Sequence, residues 1–251
     1  DPALDSIGAI GNRLMRATVH GYVDLRCACV REVFLSGAKI AGELMMVGTE
    51  IERNLFAQPN GPLGYRCRIG GSATLSRARI QGDADFDGAL IAGSFEMRTG
   101  SLGRLFMSMC PVVLACGDSL RLDYFQAEVG RIEVIGVTGL GSIGLAGIQV
   151  RGHRNDLAAV LIEHVESRGD IRFYWGLRER TMFANARAAA HEQLEAQARR
   201  RAAANDPDAA ALPTEPDVQR EASARTCSAT VVGSIEMRRI ITGGHIDLTN
   251  L

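Results

Sequence analysis

Apolar and polar residues alternate along this chain in short runs, and the runs return at a fixed interval. Residues Ala78, Ile80, Gly82, Ala84 and Phe86 are followed at once by Ala89, Ile91, Gly93, Phe95 and Met97. The template is A-x-I-x-G-x-L-x-L-x-x, a unit of eleven residues. Ala17-Val19-Gly21-Val23-Leu25, Ala38-Ile40-Gly42-Leu44-Met46 and Cys67-Ile69-Gly71-Ala73-Leu75 fit it. Thr49-Ile51-Arg53-Leu55 and Gly100-Leu102-Arg104-Phe106 fit with substitutions, and the units opening at Ala28 and Ala127 are shorter. Far downstream the pattern returns as Ala229, Val231, Gly233, Ile235 and Met237, then as a degenerate copy with Ile241, Gly243, Ile246 and Leu248.

Alternation with period two places the apolar side chains on one face of a strand. The fifth-position glycine is expected to make a corner, because glycine reaches backbone angles closed to other residues. Each unit then reads as two short strands around a bend. One unit cannot keep its apolar face dry, whereas stacked units share a continuous interior. Two units per turn predict a rung of roughly 20–22 residues and a rod of six or seven turns about 30 Å long, from rungs about 4.8 Å apart. The expected fold is all-β, a right-handed β-helix (solenoid) with an inserted α-helix and a flexible linker.

Three stretches interrupt the pattern. Residues 57–65, with Pro59 and Pro62, read as a turn-rich loop, and residues 108–118, around Pro111, as a small excursion. Over 136–175 the glycine-rich sequence blurs the template. Phe183, Ala186, Ala190 and Leu194 then recur at helical spacing and predict a helix over about residues 178–204. The segment that follows, with Pro207, Pro213 and Pro216, reads as a mobile linker. One continuous domain is expected: β-solenoid over 1–175, helical insertion and proline-containing linker over 176–226, and solenoid again over 227–251. The helix has charges of both signs, which suits packing along the solenoid flank or over its end.

Composition agrees with many tight corners: the chain holds 28 Gly and 7 Pro, and only 5% of its residues are aromatic. Net charge is −1, which gives no general attraction to nucleic acid. No run of 18 apolar residues is present, so membrane association has no support in the sequence. The chain opens on Asp1, as expected of a processed product or of the ordered part of something longer. The six cysteines lack metal-site or redox spacing and read as small buried hydrophobes of a reducing cytoplasm.

Catalytic signals are sparse. The five histidines form no H-E-x-x-H pattern, and Gly139-Leu-Gly141-Ser-Ile-Gly144 does not open a helix as a nucleotide loop would. Asp83, Asp85 and Asp87 alternate along one strand and read as its solvated outer edge. The candidate binding residues are His153, Arg154 and Asp156, with Tyr174 and Trp175, placed where the repeat lapses and able to form a groove on a flank. No catalytic residue, metal site or cofactor is assigned.

The segments Ala38-Lys-Ile40-Ala-Gly42-Glu-Leu44 and Ala78-Arg-Ile80-Gln-Gly82-Asp-Ala84-Asp-Phe86-Asp-Gly88 resemble a group of bacterial β-helix repeat proteins, loosely labelled membrane-associated oxidoreductases. More distantly the pattern resembles bactofilins, the polymer-forming cytoskeletal proteins, and in Val33-Phe-Leu35-Ser-Gly37 the pentapeptide repeats. The resemblance covers most of residues 15–135 and 227–250 and implies fold more than function. The expectation is a non-enzymatic structural or interaction scaffold that self-associates through exposed solenoid ends or binds a protein partner. The alternative is an enzyme or small-ligand binder using the groove near residues 152–175.

Overall fold

A computed structural model of the chain describes residues 17–60, 65–116, 119–152, 158–173, 177–203, 217–218 and 229–248. It is a β-rich fold of parallel sheets, built mostly from strands two residues long. Apart from Cys110–Cys116, Ser119–Phe125 and Asp217–Val218, the strands fall into four columns. The first holds Thr18–Val19, Lys39–Ile40, Arg68–Ile69, the starts of Leu90–Leu102 and Glu128–Thr138, Gln149–Val150 and Thr230–Val231. The second holds Val23–Asp24, Leu44–Met45, Ala73–Thr74, the middles of the two long strands, Val160–Glu163 and Ile235–Arg238. The third runs from Cys29–Val30 through Glu50–Ile51, Arg79–Ile80 and the ends of the long strands to Glu166–Ser167 and Ile241–Thr242. The fourth, a sheet of seven strands, runs from Val33–Phe34 to Ile246–Asp247. The chain passes through the four columns in this order seven times, and we call each passage a circuit.

Where no excursion intervenes, a residue pairs with the one 21 or 22 positions on, as Thr18 does with Lys39 and Arg68 with Leu90. Two eleven-residue units therefore complete one circuit. Ile80 aligns with Ile51 and Leu102 in the third column, while Ile91 aligns with Ile69 and Val129 in the first. The inward residues form one core, in which Ile40, Leu44, Ile51, Leu55, Phe86, Phe95, Ile143 and Phe173 are buried. Each such side chain contributes about 1.5–3 kcal/mol on leaving water. That gain exists only because the next circuit covers it.

Of the fifth-position glycines only Gly233, at φ 125°, takes a positive φ; Gly21, Gly42, Gly71, Gly82 and Gly93 do not serve as the expected left-handed corners. A residue with positive φ lies instead between the second and third columns in every circuit: Cys27, Gly48, Arg77, Thr99, Gly136, His164 and Arg239. Gly37, Gly88 and Gly147 do the same between the fourth column and the next first column. These are the last positions of the unit. The fifth-position glycines allow close approach. Gly42 donates its N–H to the Gly21 carbonyl at 2.7 Å, Gly71 to Gly42 at 2.9 Å and Gly93 to Gly71 at 2.9 Å. A methyl group on Gly130 would lie 2.6 Å from the Gly93 carbonyl oxygen, and one on Gly103 2.6 Å from that of Gly82.

The columns continue through the glycine-rich stretch after Gly136, where the template blurs, with strands at Gln149–Val150, Val160–Glu163 and Ile171–Arg172. Ser142–Gly144 pairs with Arg104–Phe106, and Ile143 pairs with Ile171. Three excursions leave from one place, between the fourth column and the next first column: the loop after Leu55–Phe56, the segment after Arg104–Phe106 and the segment after Ile171–Arg172. The second was expected over 108–118 but is a full antiparallel hairpin, Cys110–Cys116 with Ser119–Phe125. Arg121 and Leu122 of that hairpin pair with Asp217 and Val218, and the helix Leu177–Ala203 packs on both of its strands. Ala190 and Leu194 are buried on the helix while Arg187, Glu192 and Glu195 face solvent. Gly88 is pressed between the excursions, since a side chain there would meet Pro59 at 2.9 Å, Cys110 at 3.0 Å and Phe125 at 3.2 Å.

Replacing Gly130 with Ala forces the added carbon against backbone, and overpacking of this kind costs about 1–3 kcal/mol. Gly21, with nothing within 4 Å of its added carbon, tolerates the same change. Urea denaturation of the two variants should show a large loss for Gly130→Ala and little for Gly21→Ala.

Candidate functional site

The five residues singled out from the sequence, His153, Arg154, Asp156, Tyr174 and Trp175, lie outside the described residues. Their flanks are described. Gly152, at φ 72°, sits so close to the last circuit that a side chain would lie 2.0 Å from the Val232 carbonyl oxygen. Arg151 pairs with Glu128, and Phe173 is buried at the end of the fourth column. Gly152 follows the first-column strand Gln149–Val150, and Phe173 follows the fourth-column strand Ile171–Arg172.

The cysteines divide. Cys67 and Cys110 are buried as expected, whereas Cys27 and Cys29 are exposed in the first circuit. Of the three aspartates, Asp83 alone fits the expected outer edge. Asp85 and Asp87 are buried under the excursions, because the corner they occupy is covered rather than solvated. Asp87 accepts the Ser108 N–H at 2.6 Å, and Asp85 accepts from the Asp87 N–H at 3.0 Å and from Gln58.

The outer faces are laced by charges that cross from circuit to circuit. Arg66 reaches Glu128 at 2.6 Å and the Gly88 carbonyl at 2.6 Å, and lies over the Phe125 ring at 5.8 Å. Arg151 reaches Glu128 from the other side. Burial raises the Glu128 pKa, but the hydrogen bonds from Arg66 and Arg151 outweigh it and hold the carboxyl below its ordinary value. In the second column Glu96 pairs in register with Glu133, two acids on adjacent rungs. Arg98 crosses from the circuit of Glu96 to reach Glu133 at 2.5 Å, and Arg131 reaches it at 2.7 Å. Glu133 is thereby only 2% exposed. A second ladder runs before the fourth column. Asn54 donates to Glu32 at 3.3 Å, its side-chain oxygen accepts the Asp83 N–H at 2.9 Å, and Arg104 reaches Asp83 at 2.6 Å.

These ladders stop at the first and last circuits, where the core also opens. Val19 is 36% exposed although its register partner Ile40 is 1%. Ile246 is 43% exposed although its partner Ile171 is 0%. Both are inward positions in the outermost circuits of the described residues. Each end has an ion pair at the same place on the second column. Arg26 donates to Asp24 at 2.6 Å, and Arg238 donates to Glu236 at 2.5 Å. The hydrogen bond from Arg26 holds the Asp24 carboxyl at about 2, well below its ordinary value.

Among the described residues no cluster of His, Cys, Asp and Glu suited to hold a metal ion occurs, and no helix is long and apolar enough to cross a membrane. Comparisons with protein-family models, with curated proteins and with solved structures find no match. The two open ends are the part of the described molecule where apolar core and paired charge meet solvent together.

Because its folded pKa is depressed, Glu128 contributes stability above its unfolded pKa, and that contribution disappears as pH falls through the folded value. Glu128→Gln should therefore melt below the parent protein at pH 7, and the gap should close in acid. Thermal melts between pH 7 and pH 3 measure this, and a gap independent of pH would refute it.

Proposed function

We propose that the circuits wind as a right-handed β-helix and that the molecule is a non-enzymatic scaffold joined to other proteins, or to copies of itself, through the ends of that helix. The right hand follows the general preference of parallel strand connections. The observation that carries the reading is the exposure of interior residues at both ends: Val19 in the first circuit, and Ile246 and Leu248 in the last. A strand edge with open apolar positions is a template for another chain. The charged ladders on the flanks are already closed within the molecule, which favours the ends as the binding surface. The sequence resemblance to bactofilins carries the same expectation.

Light scattering coupled to gel filtration, run on the full chain from about 1 μM to 100 μM, a span bracketing micromolar association, tests this reading. Species larger than one chain that grow with concentration are expected. A single-chain mass throughout the series, with no partner bound at the ends, would remove its basis.

A further inference from the structure

We infer that the partner of these ends is a second copy of the chain, stacked head to tail so that its first circuit continues the last circuit of the copy before it. This rests on the scaffold reading and specifies its joint.

The register of the second column carries the inference. Asp24 pairs with Met45, Met45 with Thr74, Thr74 with Glu96, Glu96 with Glu133, Glu133 with Leu161, and Leu161 with Glu236. Continuing the column by one circuit places Asp24 of the next copy beside Glu236. The same pairing of acids already exists inside the molecule, at Glu96 and Glu133, where Arg98 reaches across to Glu133 at 2.5 Å. Arg98 stands two residues after Glu96, and Arg238 stands two residues after Glu236. Arg238 is thus placed to reach Asp24 of the next copy as Arg98 reaches Glu133.

Other columns agree with the same joint. In the first, second and fourth columns inward residues Val231, Ile235 and Ile246 would meet Val19, Val23 and Val33 of the next copy, apolar against apolar, while in the third Ile241–Thr242 would meet Cys29–Val30. Before the fourth column, His245 would meet Glu32 of the next copy in the ladder position where Arg104 meets Asp83. The glycine corner is also ready. Gly42 lies against the Gly21 carbonyl, yet a side chain on Gly21 itself would meet nothing within 4 Å. A rung in front of Gly21 would use the vacant place. A joint of unlike surfaces does not close on itself and builds an open filament.

The test uses two full-length variants, Arg238→Asp and Asp24→Arg, followed by analytical ultracentrifugation alone and mixed. Each variant alone meets like charge across the joint, so assembly should need about tenfold more protein, equivalent to about 1.4 kcal/mol. In the equimolar mixture every joint can again pair opposite charges, and assembly should return to the parental concentration. Gly21→Ala should keep the parental melting temperature and weaken assembly. If the parent assembles and the charge variants assemble equally well, the joint lies elsewhere: this inference fails and the scaffold reading stands. A parent that stays a single chain at every concentration overturns this inference, and overturns the scaffold reading too if no other protein binds the ends.

Discussion

The spacing between neighbouring circuits constrains everything else in this molecule. Backbone N–H and carbonyl groups of one circuit must bond those of the next, which fixes the separation at about 4.8 Å. At that separation the corners have no room for a Cβ pointing at the circuit behind. Gly42 against Gly21, Gly103 against Gly82 and Gly130 against Gly93 are consequences of this distance. So is the small residue opening each unit, since Ala38, Cys67, Ala78 and Ala89 are all buried at turns. The left-handed residues at the other corners follow from the same requirement. Five of the seven between the second and third columns are not glycine and differ in chemistry: Cys27, Arg77, Thr99, His164 and Arg239 share their backbone angle. A left-handed angle costs a non-glycine residue about 1–2 kcal/mol, so stacking must hold each one in place.

Fixed spacing also decides where the chain can leave the stack. An excursion is tolerated only if the strands before and after it still meet their neighbours. The three largest leave at the same corner and rest on one another, so loop, hairpin and helix form a second layer along one edge. Arg66 fastens the base of this layer, bonding the Gly88 carbonyl and Glu128 while covering Phe125. The helix needs little amphipathic character for this role. Ala190 and Leu194 are buried on it, while Arg187, Glu192 and Glu195 face water.

Period-two alternation at a constant interval was readable from the sequence because each apolar residue has to match its equivalent one circuit away. That is why Ile80 and Ile91 announced the interval of eleven, and why the return at Ala229 and Val231 announced the last circuit. The role of glycine was misread, since a residue pattern records that Cβ is excluded and not whether angle or distance excludes it. The stretch after Gly136 seemed to lapse because Leu140 and Ile143 change the spacing by one while keeping the pairing. The strand Ser119–Phe125 was missed because its pairing is to its own hairpin and owes nothing to the repeat. Burial of Asp85 and Asp87 depends on excursions tens of residues away in sequence, which no local pattern reports. The groove candidates His153, Arg154, Asp156, Tyr174 and Trp175 stood out for their chemistry and lie outside the described residues.

The same rule that fixes the interior leaves the ends incomplete. A middle circuit has both faces covered, and its charges find partners two residues and one circuit away, as Arg98 and Glu133 do. A terminal circuit is made from the same sequence template but has one covered face. Its inward residues stay apolar because they must match the circuit they do have, which is why Ile246 keeps the identity of Ile171 despite its exposure. Its charges pair within one strand instead, Asp24 with Arg26 and Glu236 with Arg238, and such exposed pairs are weak. Among the described residues the same pairing thus joins neighbouring circuits six times, and the outermost circuits, Thr18–Phe34 and Thr230–Asp247, are each paired on one side.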